Sequence, residues 1–164
     1  MAIVDELLYI KTFRERQAET ALHRSRQDLR LAHDMEKRAQ EQRDAFAQSA
    51  VAQEDRWYRE LCSRIVRVRD IDDLHSSIAG LRRTQQELDE EWAARLRQRQ
   101  QAQDLMKQAG EHYRLAGIAR NKFTELARLH HGAVAQEAER REELELEELA
   151  SVVRERDDWG GGDD

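Results

Sequence analysis

Proline is absent from all 164 residues. No rigid ring or missing N–H therefore interrupts a helical pattern anywhere in the chain. Aromatic residues make up only 5%, too few side chains of large area to fill a thick globular core. Cys62 is the single cysteine, which excludes an intrachain disulfide and fits a reducing compartment. Its apolar neighbours suggest a packed thiol rather than a reactive one. No apolar stretch approaches the roughly 18 residues needed to span a bilayer. Acid appears at Asp5 with no basic lead and apolar run around it, so no ordinary secretory signal is expected.

The six histidines lack an HExxH spacing, and adjacent His130 and His131 point about 100° apart on a helix. They read as surface or seam residues, and no metal or other cofactor is expected. Gly160 to Gly162 precede acids instead of Lys-Ser/Thr and a helix, so no phosphate loop is present. Pairs such as Glu90 with Glu91 have no apolar surroundings that would raise a carboxyl pKa. No catalytic residue is assigned, and an enzyme is not expected.

What the chain does contain is 38% charged and 39% hydrophobic residues, dominated by Ala, Glu, Gln, Arg and Leu. That is the composition of long helices and coiled coils. Residues 137–164 hold twelve acids against four arginines, net −8, which leaves residues 1–136 at net +2. Interleaved signs along a helix face read as solvated i to i+4 pairs rather than a phosphate-binding stripe. Nucleic acid is not an expected partner.

Apolar residues recur in steps of three and four from Ile3, Leu7 and Ile10 through Ala18, Leu22, Leu29, Met35, Ala39 and Ala50 to Trp57, Leu61 and Ile65. A second series runs from Leu74, Ile78 and Leu81 through Trp92, Met106 and Tyr113 to Phe123, Ala127 and Val134. Such stripes are coiled-coil seams. Arg14, Ser25, Gln42 and Gln53 fall on the first seam too, either as register markers or as residues a loose coil tolerates.

Between the series lies Arg67-Val-Arg-Asp-Ile-Asp-Asp-Leu74. Asp70 and Asp72 are good helix N-caps, and Asp73 complements the helix dipole. The pattern predicts an all-α, long antiparallel two-helix coiled-coil hairpin with its bend near residues 69–73. The expected boundaries are a helix over 2–68, a bend at 69–71, a helix over 72–156 and a flexible acidic tail at 157–164.

Folding about residue 70 predicts that residue i faces about residue 141 minus i, with Met106 on Met35, Trp92 on Ala50 and Val134 on Leu7. Gly110 and Gly117 would then allow close approach opposite Leu31 and Arg24. At about 1.5 Å per residue the first helix would reach roughly 100 Å, giving a thin rod. The second helix would overhang after about Arg140.

Trp57, Tyr58 and Trp92 near the bend are expected contact residues. A two-helix seam can bury only one of Trp57 and Tyr58 fully. Trp159 is either a docking residue or simply part of the tail.

Three patches carry a family resemblance. They are Ile3-Val-Asp-Glu-Leu-Leu-Tyr-Ile-Lys-Thr-Phe-Arg-Glu15, Trp57-Tyr-Arg-Glu-Leu-Cys-Ser-Arg-Ile-Val-Arg-Val-Arg-Asp-Ile-Asp-Asp-Leu74 and Glu148-Leu-Ala-Ser-Val-Val-Arg-Glu-Arg-Asp-Asp-Trp159. The chain resembles the YscO-type proteins of bacterial type III secretion injectisomes, relatives of flagellar FliJ.

The resemblance implies a cytoplasmic, non-enzymatic stalk peripheral to the inner-membrane secretion apparatus, monomeric on its own and not inserted in the membrane. Its terminal end would enter a hexameric secretion ATPase through Leu7, Leu8, Lys11, Arg14, Leu144, Leu149, Val152 and Arg156. Its bend would meet the cytoplasmic domain of the export-gate membrane protein through Trp57, Tyr58, Leu61, Leu74 and Ile78. Secretion chaperones are a further implied partner. The alternatives are a homodimeric coiled-coil spacer and an escort protein for secretion chaperones.

Overall fold

The computed structural model describes residues 2–161. It contains two helices, α1 (Ile3–Cys62) and α2 (Val68–Gly160), with no strand among the described residues. This is the all-α antiparallel hairpin that the two heptad series predict. Contacts divide the chain into two compact units, one spanning Ala18–His112 and containing the link, the other formed by the residues up to Gln17 and from Tyr113 onward.

The link occupies residues 63–67, a few positions before the expected 69–71. α1 closes without a left-handed residue. Instead, the Ser63 backbone N–H donates to the Arg59 carbonyl at 3.1 Å and its hydroxyl donates to the Glu60 carbonyl at 2.8 Å. These bonds satisfy carbonyls that a helix end leaves free.

At the start of α2 the Arg67 carbonyl accepts from the Ile71 N–H, which makes Arg67 the N-cap. Asp70 then stands at the third helical position, and its Oδ2 accepts from the Arg67 backbone N–H at 3.0 Å. This is the returning half of a capping box. The acid expected to begin the helix thus works from inside its first turn, and the helix starts earlier. Asp70→Ala is expected to lower stability by about 0.5–1 kcal/mol, whereas Asp70→Asn, which keeps an acceptor oxygen, loses less; thermal unfolding followed by circular dichroism measures both. Cys62, expected among packed residues, ends α1 exposed.

At the other end α2 runs on to Gly160, so residues 157–160 of the expected tail are helical. Residues 162–164 of that tail lie outside the described residues.

In the unit containing the link, Ala18, Leu22, Ala39 and Ala50 of α1 and Leu74 and Ile78 of α2 are buried. Glu36 pairs with Arg99 and Arg43 stacks on Trp92, and both pairs of numbers sum to 135. The other unit has the same offset, with Glu15 paired to Arg120. The register is therefore six residues away from the expected 141.

The earlier link moves the register in this direction, and the seam itself runs through charged residues. The seam of α1 passes through Lys11, Glu15, Glu36 and Arg43, all half-buried, instead of Ile10, Arg14, Met35 and Gln42, all exposed. Met35 is 43% exposed, while the Glu36 side chain retains only 14% exposure beside Arg99. Met35 is reached not by Met106 but by Arg95, whose Nη1 lies 3.6 Å from the sulfur.

The glycines also differ from expectation. A Cβ at Gly110 would lie 3.8 Å from Leu22 Cδ1, and one at Gly117 would lie 3.8 Å from Glu15 Oε1. Both are ordinary contact distances, so close approach does not require glycine at either position. Gly110→Ala is expected to raise stability by about 0.5–1 kcal/mol, the backbone entropy that glycine loses in a helix, as read from the urea midpoint at unchanged slope.

Candidate functional site

Two surfaces carry the residues singled out from the sequence. The first surrounds the link. Trp57 and Leu61, both half-buried, line a cleft of about 170 Å³ with the buried Leu74 and with Glu60, Arg64, Asp70, Asp73 and Ser77. Tyr58, next to Trp57 in sequence, points elsewhere and is 43% exposed.

Leu74 and Ile78 keep only 8% and 6% of their surface. Leu74 lines the inner side of the cleft, and Ile78 is buried one turn farther along α2. Ile65, which its spacing placed on the first seam, is instead 99% exposed in the link, and Val68 is 76% exposed at the start of α2. The signal was available in that aliphatic residues in a helix-to-helix link have no seam to occupy.

The second surface is the long terminal part of α2. Every residue from Arg128 to Gly161 is exposed. His131 Nε2 lies 2.8 Å from Asp5 Oδ1, and beyond it no hydrogen bond or ion pair joins α2 to α1 among the described residues. The free run thus begins near residue 132 rather than after Arg140, as the six-residue change of register requires.

Leu144, Leu149 and Val152 are 51%, 62% and 59% exposed, and Arg156 is exposed as well. On α1, Leu7 and Arg14 are exposed, Leu8 is half-buried, and Lys11 places its Nζ 5.3 Å from the centre of the Phe123 ring.

The structure does not gather these eight residues into one cluster. In the observed register Leu7 faces residue 128, so Leu144 lies sixteen residues farther along α2, roughly 24 Å at the helical rise. The exposed α2 segment and the α1 residues are separate stretches of surface.

Electrostatics at the boundary between paired and free α2 are local. The Asp5 carboxyl is held below the usual carboxylate range chiefly by its hydrogen bond to His131, against a small opposing effect of burial. A depressed carboxyl stabilises the contact above its unfolded pKa and loses that contribution as pH falls through its folded value. The Asp5 to His131 bond is therefore expected to persist at neutral pH and to open only below about pH 4, near the unperturbed Asp value. Acid titration of the Asp5 carboxyl by NMR measures it. Nearby, Arg128 lowers the pKa of Glu125 through a two-pronged hydrogen bond on the open face of α2. Both groups are fully solvated, and the pair adds little to stability.

Among the described residues no group of three His, Cys, Asp or Glu is placed to hold a metal ion. No helix among them is long and apolar enough to cross a membrane. The chemistry these surfaces can perform is recognition. Aromatic and aliphatic side chains flank the link, and a solvated acidic helix carries spaced aliphatics at the other end.

The fold has a solved counterpart. The crystal structure of the type III secretion protein YscO from Vibrio parahaemolyticus is similar with a TM-score of 0.83 at 23% identity, over 89% of this chain and 92% of that one. No match was found among curated protein sequences. The sequence matches the family described as type III secretion protein YscO over residues 4–152, which takes in both helices, the link and most of the free part of α2. The chain therefore belongs to the YscO family of type III secretion proteins.

Proposed function

We propose that this protein is a non-enzymatic stalk of a type III secretion apparatus, placing its terminal end inside a hexameric ATPase ring and its link region against the export gate. The observation that carries the reading is the helical run from Arg128 to Gly160, exposed throughout yet studded with Leu144, Leu146, Leu149, Val152 and Val153. A helix whose aliphatics meet only water gains nothing from them until a partner covers them. A ring with a central opening suits a single helix that needs covering on all sides. On this reading Leu144, Leu149, Val152 and Arg156 make the deeper ATPase contact, and Leu7, Leu8, Lys11 and Arg14 make a shallower one.

Trp57, Tyr58 and Leu61 on the flank of the link form the gate contact, with Leu74 and Ile78 supporting them from beneath. The protein acts in the cytoplasm, peripheral to the inner membrane, and is monomeric when isolated. The homodimeric spacer is disfavoured because the intrachain seam already occupies the heptads of α1. On the family's pattern, secretion chaperones are a further partner of the exposed surfaces.

The test is kinetic. Adding the purified chain to the ATPase of its own secretion system is expected to raise hydrolysis at least twofold or to shift the ATPase toward hexamers. A pair that shows neither effect would overturn the reading.

A further inference from the structure

Arginine is concentrated at the link. Between residues 56 and 69 stand Arg56, Arg59, Arg64, Arg67 and Arg69, against Glu60 as the single acid. All five arginines are exposed, and none forms an ion pair among the described residues. Unpaired arginines also occur elsewhere, as at Arg24, Arg82 and Arg97; what sets the link apart is that Arg64, Arg67 and Arg69 follow one another with no acid between residues 61 and 69. Acids do lie close by. Asp70 is engaged by the Arg67 N–H, and Asp72 and Asp73 follow it in α2. Arg64 lines the cleft with Glu60, Asp70 and Asp73 without an ion pair to any of them, and Arg67 is exposed in the link beside it.

Between Arg64 and Arg67 stands Ile65, with 99% of its surface in water, beside Val66 at 37%, and Val68 at 76% follows Arg67. Protruding aliphatics framed by unpaired cations need a partner that is both anionic and apolar. An acidic protein face would have to grip the tip of two helices, each about 10 Å across, an area of roughly 200 Å². Stable protein interfaces bury about 800 Å² on each side. A bilayer surface has no such requirement, because it supplies acyl chains for isolated aliphatic side chains and anionic headgroups for arginines without demanding shape complementarity.

We propose that the link docks on an anionic lipid surface, with Ile65 and Val68 entering the headgroup boundary and Arg64, Arg67 and Arg69 contacting lipid phosphates. The contact is interfacial, since no helix here can span a membrane. It goes beyond the stalk reading and does not rest on it. The tip adjoins the Trp57 and Tyr58 flank assigned to the gate and shares Arg64 with its cleft.

The experiment is flotation of the purified full chain with vesicles of phosphatidylcholine alone, or of phosphatidylcholine with about one-third phosphatidylglycerol, at low and physiological salt. Binding is expected only to the anionic vesicles and is expected to weaken as salt rises. Each arginine near such a leaflet contributes roughly a fivefold factor. Arg64→Glu with Arg67→Glu should therefore reduce binding by roughly 25-fold or more, and Ile65→Asp by at least about fivefold. Ile65 is solvated, so Ile65→Asp should leave the circular dichroism spectrum unchanged, and the spectrum of each variant verifies that it is folded. Three outcomes overturn the proposal: no flotation with anionic vesicles at low salt, equal binding to both vesicle types, or binding insensitive to the link variants. Retention of the link by an acidic protein without any vesicle binding overturns it as well.

Discussion

Reversing one charge, Glu36→Arg, is expected to lower the unfolding free energy by about 2–3 kcal/mol, and adding Arg99→Glu should recover most of that loss. The Glu36 and Arg99 side chains retain 14% and 23% of their exposure and form a direct ion pair across the seam. The single variant places two guanidiniums face to face where water is partly excluded. Each of them loses solvation and gains no partner. Fully buried pairs lose about 3–5 kcal/mol when one member is removed, and exposed pairs lose under about 1 kcal/mol, so an intermediate loss fits this half-buried site.

The doubly reversed protein restores attraction with the opposite polarity. Its stability separates coupling between the two residues from the general effect of altering either helix. Urea unfolding of the four proteins provides the cycle, and a coupling energy below about 0.5 kcal/mol would show that the pair does not hold the register. Glu15 with Arg120 repeats the arrangement three heptads away on each helix. A one-heptad slip would move both acids away from their arginines and leave four half-buried charges unmatched. Small side chains such as Ala18, Ala39 and Ala50 pack almost equally well in neighbouring registers. The ion pairs therefore specify the alignment that the alanine-rich stripe leaves ambiguous.

This division explains what the sequence revealed. Absence of proline, regular apolar spacing and an acid-rich interruption sufficed for two antiparallel helices, because those signals depend only on helical period and capping chemistry. The offset between the helices was not legible. Met35 and Ile10 appear better seam residues than Glu36 and Lys11 on hydrophobicity alone, yet they face water. A glutamate becomes a seam residue only when an arginine stands across from it, and that is a long-range fact that no local window contains.

The link was misplaced for a related reason. Asp70 was recognised as a capping residue, but an acid can serve a helix start from the N-cap or from the third position, and only the Arg67 N–H contact distinguishes the two. Of the residues expected at the surfaces, Tyr58, Leu144, Leu149 and Val152 are open, while Leu74 and Ile78 are interior. Apolar residues beside a bend serve either purpose, and composition does not separate them.

Truncation after Arg141 should leave thermal unfolding within about 3 °C of the intact protein while reducing activation of the cognate secretion ATPase at least tenfold. The first half of this expectation follows from burial. The last buried residue along α2 is Ala127, and the pairing with α1 has ended by His131. The residues removed up to Gly160 are helix exposed to solvent throughout, so their loss subtracts helical signal without subtracting packing. Because a change of about 1 kcal/mol moves the midpoint of a domain this size by roughly 2–4 °C, a small shift is the correct scale for removing a segment that buries nothing. The second half follows from the aliphatics removed with it, since Leu144, Leu146, Leu149, Val152 and Val153 are the largest set of exposed aliphatics in the free part of α2. If they enter a ring, their loss eliminates the apolar area that would be covered there, and the remaining α1 residues lie roughly 24 Å away along the helix. A truncated protein that is as stable as the parent and still activates the ATPase fully would move the contact to Leu7, Leu8, Lys11 and Arg14. A truncated protein that unfolds at a much lower temperature would show instead that the free helix folds back on the pair in solution.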